Sequence, residues 1–257
     1  MELKKMMALL VIAILALTTG CGQKSEDEEL MEAANSVAKT AAVLGTASVA
    51  GTVSLTGTIP GTPLFSVDAD PVCKAQHTGM VKDETVIADA KGNLKNVIVY
   101  VTDGAGNYPA PAASVTLNQK GCMYSPHVFG LQVGQALEIV NSDPTLHNVH
   151  CMAVTNDSFN VGMPNQGMVT EKKFTKAEMP TKFKCDVHGW MHCFAGVFAN
   201  PFYAVTGDDG SFKISGLPAG SYTMVAWQEK YGLSAPQTVV VKDGEAKSTN
   251  FTFAATN

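Results

Sequence analysis

The sequence predicts an all-β protein, and three observations carry that expectation. Helical periodicity is almost absent after residue 50, short runs rich in β-branched and aromatic residues recur from there onward, and Gly, Pro, Asn and Asp punctuate them. Runs of this kind bury one face each, so their number implies packed antiparallel sheets.

Along the chain, strands are predicted at Ala50 to Leu55, Thr85 to Ala88, Val97 to Thr102, Ala113 to Leu117, His127 to Leu131, Ala136 to Asn141 and Asn148 to Ala153. They continue at Met168 to Phe174, Thr181 to Asp186, Phe194 to Phe198, Tyr203 to Thr206, Ser211 to Ile214, Gly220 to Gln228, Gln237 to Val241 and Lys247 to Phe253. Gly92-Asn93 and Asp208-Asp209-Gly210 read as tight turns, because Gly and Asn tolerate positive φ. Two parts separate: residues 110 to 200 hold a His and Cys cluster, and residues 201 to 257 contain a compact meander without one. Residues 49 to 109 belong to either part, and the sequence leaves that choice open.

The first twenty residues read as an export signal: Lys4 and Lys5 precede the apolar run Met7 to Leu17, and small residues follow. The run is too short to span a bilayer comfortably. Its end, Thr18-Thr19-Gly20-Cys21, is similar to a bacterial lipoprotein signal, although Leu17 stands one place further from the cysteine than such signals usually have it. The resemblance implies acylation of Cys21, and a bacterial cell-envelope protein whose soluble part lies on the periplasmic or extracellular side. Residues 21 to 48, with the acidic run Ser25-Glu26-Asp27-Glu28-Glu29, read as a tether with a short helix from Glu28 to Val43, and the folded part is expected to start near Val49. The net charge is -5 without any basic cluster, which leaves no electrostatic footprint for nucleic acid. Beyond Cys21 five cysteines remain, and an odd number in an exported chain leaves at least one unpaired or metal-bound.

Phe183-Lys184-Cys185-Asp186-Val187-His188-Gly189-Trp190-Met191 carries the strongest signal. A thiol, an imidazole and a thioether follow one another at three-residue steps after a β-like run, and soft sulfur with nitrogen donors suits copper. Upstream, Asn141-Ser142-Asp143-Pro144-Thr145-Leu146-His147 ends one strand and presents an imidazole at the start of the next. Together these segments resemble the cupredoxins, the blue copper proteins, with the short ligand loop of the amicyanin type. The resemblance covers residues 110 to 200 and implies a Greek-key sandwich. It also implies copper ligands at His147, Cys185, His188 and Met191, and an Asn148 side chain that bridges to the ligand loop. Trp190 is expected beside an exposed His188 imidazole, in an apolar rim through which electrons leave.

Downstream, Asp209-Gly210-Ser211-Phe212 and Gly216-Leu217-Pro218-Ala219-Gly220-Ser221-Tyr222 resemble the carboxypeptidase regulatory-like, or transthyretin-like, β-sandwich. That likeness implies a second small β-sandwich.

Several residues fall outside the ligand pattern. Strand alternation puts His147, Val149 and Cys151 on one face and brings Cys151 towards Cys193. The two are expected either as a disulfide or buried thiols, or, with His150 and His192, as holders of further copper. Cys73 and Cys122 are expected to pair in a disulfide that ties down the N-terminal extension, and His77 and His127 read as structural or surface residues rather than as a second metal site. Phe159 to Pro164 and Met168 are expected to pack or to cap the copper end. The resulting expectation is a membrane-tethered electron carrier rather than an enzyme. Its partner would be a c-type cytochrome or a copper oxidoreductase, and the alternative is a copper delivery or storage protein.

Overall fold

A computed structural model describes residues 43–255. The export signal, Cys21 and nearly all of the tether lie outside the described residues. In chain order the strands are β1 (Ala47–Thr56), β2 (Leu64–Phe65), β3 (Val81–Lys82), β4 (Ile98–Asp103), β5 (Val115–Lys120), β6 (Met123–Ser125) and β7 (Val128–Gln132). Then come β8 (Ala136–Asn141), β9 (His147–Cys151), β10 (Phe159–Met163), β11 (Val169–Lys173), β12 (Glu178–Lys184), β13 (His192–Phe198) and β14 (Tyr203–Val205). The chain ends with β15 (Ser211–Leu217), β16 (Gly220–Gln228), β17 (Gly232–Leu233), β18 (Gln237–Val241), β19 (Ala246–Ser248) and β20 (Phe251–Ala254). One short helix, α1 (Pro71–Ala75), lies between β2 and β3.

The strands form two sandwiches. In the first, β1 runs beside β15, β19 and β20, and faces the sheet β14-β4-β16-β17, to which β18 adds. Its core holds Val49, Val53, Val99, Phe202, Phe212, Tyr222 and Met224. Because β1 and β4 are strands of this sandwich, the meander after residue 201 does not stand alone, and residues 115–198 are inserted between its N- and C-terminal pieces. Gly210 fits the turn into β15 because its φ is +70° and a Cβ would meet Asn93 Cβ and Val53 O at 2.8 Å.

The second sandwich packs the sheet β10-β9-β12-β13-β7 on β11-β8-β5-β6. Alternation drives it: β8 turns Leu137, Ile139 and Asn141 inward while the residues between them are half-buried. β13 is buried along almost its whole length because it runs between β12 and β7 and meets the first sandwich. Ile98, Val128 and Phe198 form the apolar contact between the sandwiches.

Several strands predicted from the sequence shift at their ends, divide or are lost. Thr85 to Ala88 makes only an isolated bridge at Ala88, and Lys247 to Phe253 splits into β19 and β20. The strand expected to start at Thr181 begins at Glu178, despite Pro180, because the ladder has an irregularity between Glu178 and Thr181.

Glu178 anchors the turn after β9. Its carboxylate accepts hydrogen bonds from the Val154, Thr155 and Asn156 amides at 2.6, 3.1 and 3.0 Å, and from Asn156 Nδ2 at 3.0 Å. Burial pushes this carboxyl up, but those donors outweigh it and hold the group below its usual range. The stability it contributes is therefore present above the ordinary glutamate pKa and lost as pH falls through the lowered one. Glu178→Gln is expected to cost about 1–3 kcal/mol at neutral pH and to flatten the acid limb of a stability-against-pH curve measured by denaturant unfolding.

Candidate metal centre

The site lies at the end of the second sandwich where β9 begins and β12 stops. Asn141, fully buried at the end of β8, shapes the connecting turn: its Nδ2 donates to Thr145 O at 2.9 Å and Met163 O at 2.8 Å, while its Oδ1 accepts from Asp143 N at 2.9 Å. That turn delivers His147 as the first residue of β9. On the other side, the chain after β12 folds back within six residues, with Cys185 N donating to Met191 O and Met191 N donating to His188 O. A short closed loop of this kind leaves Cys185 and His188 little room to separate.

One ligand atom from each of His147, Cys185 and His188 lies within 4.8 Å of the others, and all three residues are buried. The Nδ1 atoms of His147 and His188 are 3.0 Å apart, and Cys185 Sγ is 3.9 Å from His188 Nδ1. Each imidazole is engaged at its far nitrogen by a carboxylate: His147 Nε2 with Asp143 Oδ2 at 2.9 Å, and His188 Nε2 with Asp70 Oδ2 at 3.1 Å. When both rings are neutral, Nε2–H donation to those carboxylates leaves both Nδ1 atoms as lone-pair acceptors. Burial pushes His147 down, but Asp143 and Cys185 raise its pKa to about 9, so without a metal a proton sits on its Nδ1. Two such acceptors at 3.0 Å repel unless a proton or a metal cation lies between them. This donor set, with its carboxylates behind, fits a metal held by two Nδ1 atoms and a thiolate.

The carboxylates are themselves held. Asp143 Oδ1 accepts from Gly121 N at 2.9 Å and its Oδ2 from Cys122 N at 2.7 Å. Asp70 caps α1 with Oδ1, accepting from Val72 N and Cys73 N, and turns Oδ2 to His188 and Thr145 Oγ1. The sequence reading missed both residues. Each stands in an Asp-Pro dipeptide, which reads as turn punctuation, and only Asp143, four residues before His147, carried a local hint.

Electrostatics separate the three free cysteines among the described residues. Burial pushes the Cys185 thiol up, yet hydrogen bonding from His147 and from nearby backbone amides, including that of His188, outweighs it and lowers its pKa. Burial pushes Cys151 up to about 12 and Cys193 well above the ordinary thiol value, with nothing comparable to offset it. Of the three, only Cys185 has its pKa lowered.

Asn148 Oδ1 accepts from Asp186 N at 2.6 Å and from the Cys185 thiol at 3.3 Å, so its side chain bridges β9 to the loop. Met191 is fully buried and stands opposite Cys185 across the β12–β13 ladder, which puts its thioether in the same core. Met163 pairs with His147 across β9–β10, and its sulfur accepts from Gln119 Nε2 at 3.0 Å, so it packs beside the site.

The other expected residues are dispersed. Cys151 and Cys193 do not approach each other: both pair with Phe183, one from each side of β12. Two strand spacings put their backbones roughly 9–10 Å apart. That exceeds the separation a disulfide can bridge. Both are buried free thiols. His150 pairs outward with Asp186 at 3.0 Å, and His192 turns to Glu229 at 3.0 Å, so the four residues considered for further copper share no site.

Cys73 and Cys122 are joined in a disulfide. It holds α1 over the site, where Cys73 Sγ lies 3.6 Å from His188 Nε2. The expectation of an exposed His188 is corrected by this cover: the residue is 3% exposed. Trp190 is likewise half-buried, its Nε1–H donating to Cys122 O at 3.0 Å and its ring 5.1 Å from that of His188. His77 has a structural role, with Nε2 2.6 Å from Gly121 O.

No protein-family model matches the chain, and no curated protein matches it. Among solved structures it is similar to a copper-containing nitrite reductase from Thermus scotoductus SA-01, at 23% identity and a TM-score of 0.32, over 39% of this chain and 25% of that one. It is also similar to a purple cupredoxin from Nitrosopumilus maritimus, at 23% identity and a TM-score of 0.29, over 33% of this chain and all of that one. A mutant amicyanin in its Cu(I) form matches at 15% identity and a TM-score of 0.30, over 39% of this chain and 98% of that one. The chain thus spans a quarter of the reductase's length.

Proposed function

We propose that this chain is a mononuclear copper protein that carries electrons, tethered through Cys21 to a membrane of the bacterial cell envelope. The observation that supports this most is the pair of Nδ1 atoms 3.0 Å apart, each backed by a carboxylate at Nε2, beside the one cysteine with a lowered pKa.

Bound copper supplies a one-electron couple. The chain's contribution would be to hold His147, Cys185 and His188 in one arrangement for both oxidation states, with the Met191 thioether in the same core as a further soft donor. Asp143 and Asp70 fix the ring orientations and raise the basicity of the two imidazoles. Burial keeps water from the sulfur, and the packed sandwich resists rearrangement, which lowers the cost of changing charge. Electron exit uses the exposed Leu146 and Val187, each the residue before a ligand imidazole, rather than the covered His188 edge. A c-type cytochrome or a copper oxidoreductase is the fitting class of partner.

Metal analysis with absorption spectroscopy on copper-loaded protein tests this reading. One copper per chain with an intense visible band that disappears on reduction is expected. Several Cu(I) ions per chain without such a band would replace electron transfer with storage.

A further inference from the structure

A second cluster of donors lies away from the copper ligands, where the two sandwiches meet. His127 stands just before β7, His192 opens β13 in the inserted sandwich, and Glu229 follows β16 of the other sandwich. His127 Nε2 is 2.8 Å from Glu229 Oε2, and His192 Nε2 is 3.0 Å from Glu229 Oε1. The two rings meet edge to face at 5.1 Å, and the three ligand atoms lie within 4.8 Å of one another. The His127 and Glu229 side chains are 3% and 13% exposed, whereas that of His192 is 24% exposed.

The orientation of His192 suits a metal ligand. His192 Nδ1 lies 3.2 Å from Trp190 O, and a carbonyl can only accept, so Nδ1 carries the hydrogen. In a neutral ring Nε2 is then a bare lone pair facing a carboxylate oxygen, an arrangement that requires either a second proton or a metal ion. A backbone carbonyl holding the remote N–H is the usual support of a metal-ligating histidine.

We propose that His127, His192 and Glu229 form a second metal site, separate from the copper centre, that takes a divalent first-row cation of the zinc class and clamps the two sandwiches together. Two imidazoles and one carboxylate suit this class better than a soft monovalent ion. Tetrahedral bonds of ~2.0–2.1 Å put ligand atoms about 3.4 Å apart, between the 2.8–3.0 Å imidazole–carboxylate separations and the 4.8 Å that bounds the cluster. The cluster is closed on the His127 side and partly open on the His192 side. A polar cavity of about 320 Å³ lined by His127, Glu84, Lys95 and Ser125 adjoins the cluster.

The test is a calorimetric zinc titration of the copper-loaded full chain, beside Glu229→Gln and His127→Gln. One zinc ion per chain in addition to copper is expected, with binding weakened roughly tenfold or more in each variant. The zinc count should also fall by one in Glu229→Gln when copper is omitted, so the result does not depend on what fills the first site. Retention of the visible copper band shows that a variant is folded. X-ray absorption at the zinc edge of the unsubstituted protein provides a check that needs no variant, and nitrogen and oxygen neighbours without sulfur are expected. No zinc uptake beyond copper, unchanged affinity in both folded variants, or a sulfur neighbour would overturn the proposal.

Discussion

Cys185→Ser is expected to abolish the visible band of the copper-loaded protein and to lower its copper affinity by about 100-fold or more, beyond the 10–100-fold that loss of a supporting outer residue costs. The reason lies in the contrast between cysteines. Cys151 and Cys193 are equally buried, but only in Cys185 does hydrogen bonding outweigh burial and lower the pKa. Ser retains the volume and a weak oxygen donor, so the fold should survive while the charge-transfer donor is gone. Cys151→Ser, as a control, should leave the band in place. Absorption spectra with a competition titration against a Cu(I) chelator decide this, and a band that persists in Cys185→Ser removes the thiolate assignment.

Replacing Cys73 and Cys122 together by Ser is expected to lower stability by about 4 kcal/mol, because the bond closes a loop with a sequence separation of 49. For a chain of this size that corresponds to a fall in Tm of roughly 8–16 °C, measured by calorimetry. The effect should also reach the metal. The disulfide holds α1, α1 is capped by Asp70, and Asp70 holds His188 Nε2. Copper affinity should therefore drop together with Tm in the double variant, whereas Asp70→Asn with the disulfide intact should weaken copper with a much smaller loss of stability. Equal copper affinity in all three proteins would show that the segment over the site is only a structural strap.

The sequence made the strands legible wherever alternation was clean. Ala136 to Asn141, Gly220 to Gln228 and Gln237 to Val241 coincide with β8, β16 and β18. It failed where pairing rather than composition makes a strand: β6 is three residues long, and β10 reads as an ordinary loop with Gly162 and Asn160 until β9 supplies its ladder. Residues 49 to 109 could not be assigned because β1 pairs with strands about 160–200 residues later, a contact that no local pattern encodes.

At the site, the loop from Cys185 to Met191 was legible because its donors are close in sequence, and His147 was found through its strand-end position. Asp70 was not, since it lies 118 residues from His188 and reaches it only through the disulfide-bound segment. The neighbourhood of Cys151 and Cys193 was misjudged for a related reason. Alternation gives the face a side chain takes but not which strand intervenes, and β12 with Phe183 lies between them. His192 and His127 meet because β13 pairs with β7, and Glu229 joins them from the other sandwich, neither of which a local pattern encodes.

The most direct test is a crystal structure of the copper-loaded protein with an anomalous difference map recorded at the copper edge. A single strong peak between His147 Nδ1, Cys185 Sγ and His188 Nδ1 is expected. A map with no peak there, or with copper held only by other side chains, would contradict the assignment.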